Sequence, residues 1–222
     1  MLGKQAEFCF EFYLRNVGRY KLLGANIQIQ GPQQTIGELD YIVFDSLNNV
    51  NLHIELACKF YLFDPTIEGK CEAKWIGPNR KDTLEEKLEK LASKQFPLLF
   101  DDQTKLELDK LKITVDTVKQ QLFLKACLFL PKKYDINELP ENFQDCVVGY
   151  WIYFSDFISE DKDALYIVPS KKQWLLQPEK FEVWQPFSEA ITTIELSLIT
   201  KKSPLVYKKT EQKIERIFVV WW

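Results

Sequence analysis

Eight glycines in 222 residues leave no place for the glycine spacing of a P-loop or a dinucleotide fingerprint. A single histidine, His53, excludes zinc sites built from several histidines and any Ser-His-Asp arrangement that does not use it. Five cysteines, Cys9, Cys58, Cys71, Cys127 and Cys146, are scattered without a C-x-x-C pair. That pattern argues against a disulfide framework or a cysteine zinc site and suits reduced thiols in the cytoplasm. No stretch approaches 18 uninterrupted apolar residues, and the N-terminal segment has no long apolar run; neither a membrane span nor secretion is expected. Basic charge is not in surplus: 29 Lys and Arg stand against 32 Asp and Glu. Nucleic acid, if bound, must therefore meet a local basic patch. Oligomeric state leaves no mark on the sequence.

The chain does have ample core-forming material, 46% of it hydrophobic and 14% aromatic, enough for one large domain or a domain with an elaboration. Apolar residues at helical spacing predict a helix over 2–15, ended near Gly18, and strand patterns follow at 22–30 and across 35–63. The 35–63 stretch reads as a hairpin whose turn falls in 46–51, where Asn48-Asn49 suits positive φ. Asp82 with Glu85 has the form of a capping box, opening a helix with Leu84, Leu88 and Leu91 as its buried stripe. Gln95 extends that stripe at i+4 from Leu91, so it either bonds nearby backbone or is aimed into a polar site beneath the helix. Further on, a short helix near 106–111, a strand at 121–130 covered on both faces, strands at 147–157, 165–168 and 216–222, and a helix at 187–198 complete the pattern. The tryptophans and tyrosines lie mostly in alternating apolar runs, as core packing requires.

Charge interrupts the hairpin in an ordered way. Residues two apart share a strand face, so Glu38 and Asp40 point one way while Leu39, Tyr41 and Val43 point the other. On the second strand His53, Glu55, Ala57, Lys59 and Tyr61 share one face. With Asn48-Asn49 as a two-residue turn, Asp40 has Glu55 and Lys59 as diagonal neighbours, roughly 7–8 Å away. With the turn centred one residue earlier, Asp40 faces Glu55 directly. Either register brings two carboxylates together, and such a pair repels unless a proton or cation intervenes. Mg²⁺ or Mn²⁺, with oxygen ligands, suits it. The plainer reading is a solvated face with Glu38 paired to Lys59. His53 is two residues from Glu55 and can bond it; a surface or strand-end histidine is the commoner reading.

Helix, three strands and helix, with Asp on the second strand and an acid plus Lys on the third, resembles the PD-(D/E)XK nuclease-like core. LGKQAE at 2–7, GELD at 37–40, ELACKFYL at 55–62, WIGPNRKD at 75–82 and the helix from Lys87 to Gln95 together resemble a bacterial family that carries a domain of unknown function and is grouped with that superfamily. The resemblance is densest over 1–97. It implies a mixed α/β (α+β) restriction-endonuclease-like α-β-β-β-α-β core over 1–130, with C-terminal strands and a helix over 131–222, as one domain. It further implies Asp40 and Glu55 as ligands of Mg²⁺ or Mn²⁺, Lys59 as the catalytic lysine, and Glu7 as an additional carboxylate. Arg80, Lys87 and Gln95 would contact nucleic-acid phosphates. The implied activity is metal-dependent hydrolysis of DNA or RNA; the alternative is a nuclease-like fold without catalysis that binds nucleic acid or protein. Here the acid and lysine lie four residues apart, about 13 Å along a straight strand, and Ala57 occupies the usual acid position. Lys59 would reach the site through a bend, a bulge or its diagonal relation to Asp40.

Overall fold

A computed structural model describes Leu2–Trp222. The fold is mixed α/β, and the chain divides into two compact units that interleave in sequence. One comprises Gly3–Cys58 and Lys87–Lys125; the other is built mainly of Lys59–Glu86 and Ala126–Trp222. No helix among the described residues is long and apolar enough to cross a membrane.

In the first unit, α1 (Leu2–Asn16) precedes three antiparallel strands, β1 (Tyr20–Gln30), β2 (Thr35–Asp45) and β3 (Val50–Phe63), the last continuing into the second unit. Ala6, Phe10 and Leu14 repeat at helical spacing and are buried, as the sequence pattern requires. Phe10 and Leu14 pack against Tyr41, Val43, Leu52 and Ile54. A second cluster joins Ile29, Leu39 and Ile42 to Leu99, Leu108, Ile113 and Val115. The helix Asp102–Lys110 supplies Leu108 and is capped by the Asp101 side chain accepting from Gln103 N–H.

The hairpin takes the earlier-centred register. Asp45 pairs with Val50 and Tyr41 with Ile54, leaving a loop of 46–49 with Asn49 at φ +51°. Asp45, fully buried, fixes that loop: it accepts two bonds from the Arg19 guanidinium, at 3.0 and 2.6 Å, and others from Leu47 N–H and the Asn48 amide. The Arg19 contact holds its carboxyl far below the usual aspartate value. Strict alternation fails further along β2. Leu39 packs with Ile42, whereas Tyr41 and Val43 belong to the other cluster, so the side-chain pattern slips between Leu39 and Tyr41, where Asp40 sits.

The second unit holds β4 (Trp75–Ile76), the end of β5 (Val118–Pro131), β6 (Val147–Tyr153), β7 (Leu165–Ile167), β8 (Gln185–Pro186), β9 (Leu205–Lys209) and β10 (Ile214–Val220). β6 runs parallel to both β5 and β10; β9 pairs antiparallel with β10 and β7, and β7 with β8. Phe129, Trp151, Leu205, Tyr207 and Phe218 form one cluster. Ile152, Tyr166, Val206, Ile217 and Val219 form another with Phe187, Ala190 and Ile194 of the helix Phe187–Ile199. Gly149 lies where any Cβ would collide with Arg216 O, so only glycine lets β6 and β10 approach there. The expected doubly covered strand at 121–130 is buried continuously only over 127–130; Lys119, Gln121, Phe123 and Lys125 alternate outward. The aromatic strand expected over 147–157 stops at Tyr153, and Phe154–Phe157 is a single helical turn.

Candidate functional site

The polar residues of the hairpin are not a solvated face. His53 and Glu55 are both 0% exposed, and what covers them comes from later in the chain. The helix Leu84–Lys90 passes directly into a π-helical turn, Leu91–Gln95, closed by Phe96 N–H donating to Leu91 O. The wider turn places Gln95 over Glu55, and its amide Nε2 donates to Glu55 Oε2 at 2.6 Å. Gln95 Oε1 accepts from Lys87 Nζ at 3.0 Å. A π-turn inserted in a helix costs regular hydrogen bonding and is characteristic of functional positions.

The opposite side of Glu55 is held by the histidine. His53 Nε2 lies 2.9 Å from Glu55 Oε1, and His53 Nδ1 lies 3.2 Å from Gln120 Nε2. Gln120 Nε2 also donates to Phe96 O at 2.7 Å, which fixes the amide orientation, because a carbonyl can only accept. His53 Nδ1 is therefore the acceptor and Nε2 carries the proton donated to Glu55, a tautomer inferred from the bonding pattern. A continuous polar chain results, running Lys87, Gln95, Glu55, His53, Gln120 and ending on the Phe96 carbonyl.

Asp40 completes the group. Just past the Tyr41–Ile54 pair, the N–H of Leu56 donates to Asp40 Oδ2 at 2.8 Å. Burial pushes the Asp40 carboxyl up to about 6, with the charge of Glu55 adding to it; the Leu56 N–H and the charge of Lys87 act the other way. Glu7 forms a 2.7 Å ion pair with Lys4, and Lys4 also feels the charges of Glu38 and Asp40. Tyr41 donates to Glu7 O at 3.0 Å. Asp40, Glu55, Gln95 and Lys87 are thus brought together, with Glu7 engaged by Lys4. No group of three or more His, Cys, Asp or Glu among the described residues could hold a metal ion by itself. Two carboxylates nevertheless suit Mg²⁺, which is commonly held by one or two carboxylates plus waters and substrate phosphates.

The other expected residues have partners of their own. Lys59 donates to Asp82 Oδ2 at 2.6 Å, so Glu38 is not its mate; Glu38 accepts from Gln28 instead. With Asp82 engaged, the capping box forms one residue later, between Thr83 and Glu86. Arg80, at φ +54°, donates to Asp64 Oδ2 at 3.1 Å and stacks 4.5 Å from the Trp222 ring centroid. Of the two readings of His53, the bond to Glu55 is the one that forms, and the histidine is buried, not a surface residue. Gln120, which meets it from 67 residues later, has no local signal in the sequence beyond a pair of amides opening an apolar run.

No curated protein and no solved structure matches the chain. A family model does, over residues 1–220. Its description is a domain of unknown function, DUF1853, and the chain belongs to that family.

Proposed function

We propose that this chain is a metal-dependent phosphodiesterase of the PD-(D/E)XK nuclease-like kind, hydrolysing DNA or RNA in the cytoplasm. The helix–three strands–helix order of the first half supports that core. The carrying observation is the meeting of two carboxyl groups, Asp40 and Glu55, one raised in pKa by burial and by the other. Asp40 and Glu55 would hold Mg²⁺ or Mn²⁺, with Glu7 a further carboxylate if Lys4 releases it. Such an ion supplies Lewis acidity at the scissile phosphate and a more acidic bound water.

The chain's own residues do the rest. Gln95 and His53 fix the Glu55 carboxylate from both sides, the kind of support that sets ligand orientation. Each Glu55 oxygen accepts a side-chain bond and keeps lone-pair capacity for an ion. Lys87, already acting on Asp40 electrostatically, stabilises negative charge developing on the phosphate, the role the family resemblance gives to Lys59. Lys90 and Lys94, exposed on the same segment, are further basic groups that would meet phosphates.

A second reading rests on a specific observation: both oxygens of Glu55 already have hydrogen-bonding partners. On that reading the cluster is a purely structural network in a nuclease-like fold that binds nucleic acid or protein without cutting. Calorimetric titration with Mn²⁺, paired with Mg²⁺- and Mn²⁺-supported cleavage of single- and double-stranded substrates, separates the two. Saturable ion binding and cleavage, both lost in Asp40→Ala, support the enzyme; an absence of binding supports the inactive module.

A further inference from the structure

We propose that the cleft floored by Lys132, Glu160 and Lys208, in the second unit, binds a small anion through a phosphate or carboxylate group. None of these residues belongs to the Asp40–Glu55 site. Lys132 follows β5, Glu160 follows the turn Phe154–Phe157, and Lys208 is on β9. The Glu160 carboxylate accepts from both amines, Lys132 on Oε1 and Lys208 on Oε2, the latter at 2.7 Å. Glu160 is 8% exposed and Lys208 7%. Lys208 and Glu160 are buried and offset one another, while Lys132 lines the cleft with its side chain 44% exposed, so two ammonium groups against one carboxylate leave one positive charge that a further anion can meet.

Space and donors are present. The three residues line a cavity of about 830 Å³, within the range of about 300–1,000 Å³ for small-molecule clefts. A second cavity, of about 440 Å³, shares Lys132 and Glu160. Lys208 Nζ donates to Glu160 and has three N–H groups to give. Tyr150 also lines the larger cavity, with Lys132 Nζ 5.6 Å from its ring centroid. Burial pushes its hydroxyl well above the usual tyrosine value, so it stays a donor. Burial raises the Glu160 carboxyl, but the bonds from Lys132 and Lys208 outweigh that and hold it below the usual glutamate value; the carboxylate is charged and the excess belongs to the amines.

Asp161, Asp163 and Glu211 also line the cleft, as does Lys209, and all four are exposed, where water and salt screen them. Glu215 is already bonded to Lys213. A chain of phosphates would meet those three carboxylates as well as the amines, whereas one anionic group needs only the amines. The ligand class is therefore a small phosphate or carboxylate, not a nucleic-acid backbone.

Isothermal titration of the full chain with sodium phosphate, with sodium acetate and with a single-stranded oligonucleotide tests this directly. Saturable binding of phosphate or acetate is expected, and whichever ion binds names the ligand's acidic group. Lys132→Met should weaken it by about fivefold or more, and Glu160→Gln, which leaves a larger excess of positive charge, should tighten it by a similar factor. The Lys132 side chain is 44% exposed, so Lys132→Met carries the test alone if Glu160→Gln fails to fold. The proposal is overturned if the native chain binds neither ion saturably, if Lys132→Met leaves affinity unchanged, or if the oligonucleotide binds through Lys132.

Discussion

Glu55 and Glu160 are both buried carboxylates, yet their surroundings are opposite in kind. Glu55 is met by an amide and an imidazole, Gln95 and His53, and shares its field with a second carboxyl, Asp40, raised to about 6. Glu160 is met by two ammonium groups and is held low. One cluster is short of positive charge and the other has an excess. Burial alone does not set the character of a carboxylate; the sign of the charge in immediate contact with it is what the two proposals above rest on.

The sharpest way to break the contrast is to remove Asp40. On the proposed function, Asp40→Ala should reduce Mn²⁺ affinity and any cleavage by roughly 100-fold or more, because one of the two proposed ligands is gone; calorimetry and a gel-based assay read both effects. Removing the counter-ion of the other cluster acts on stability instead. Glu160→Ala leaves two lysines without their partner and should cost about 3–5 kcal/mol, read from urea unfolding at neutral pH.

Gln95→Ala is expected to be intermediate, costing about 1–3 kcal/mol by stripping one partner from buried Glu55. It should also weaken Mn²⁺ binding by roughly tenfold. A readout of pH sharpens the comparison further, because the two clusters give slopes of opposite sign. Asp40, raised in the folded state, contributes stability that is present below the usual aspartate value and lost as pH rises through about 6. Glu160, lowered in the folded state, contributes stability that is present above the usual glutamate value and lost as pH falls through its depressed value. Asp40→Asn should therefore flatten the decline between pH 4 and 7, by roughly 1–2 kcal/mol after allowing for solvent screening, and leave the acid limb unchanged. Unfolding midpoints measured across that range check it. The smallest effect expected is that of Lys59→Ala. Its pair with Asp82 has side chains 36% and 40% exposed, so stability should fall by less than about 1 kcal/mol and Mn²⁺ affinity should shift by no more than about twofold.

What the sequence discloses and what it hides divide along the range of the interactions. The helix over 2–15 and the three following strands are written in local periodicity, and α1 and β1–β3 realise them. The hairpin left two registers open, and the Asp45–Arg19 contact, made across 26 residues, accompanies the one that forms. Gln95 stood out as a polar side chain on an apolar stripe, and it reaches a buried acid. The slip at Asp40 is invisible to an alternation argument, since it shows only in which cluster Leu39 joins. His53 read as a surface residue because its cover, Phe96 and Gln120, is contributed from far along the chain. The lysines around Glu160 come from 28 residues before it and 48 after, and no pattern in the sequence links them.

The π-helical turn at Leu91–Gln95 carries an implication for insertions and deletions. Dropping one residue there, such as exposed Ser93, would let the segment close as an ordinary α-helix and remove the widening that sets where Gln95 emerges. Every side chain that touches Glu55 would still be encoded, yet the amide would no longer arrive. Spacing in this segment is therefore as much a part of the design as composition, and a homologue with a shortened helix would need another donor for the same carboxylate.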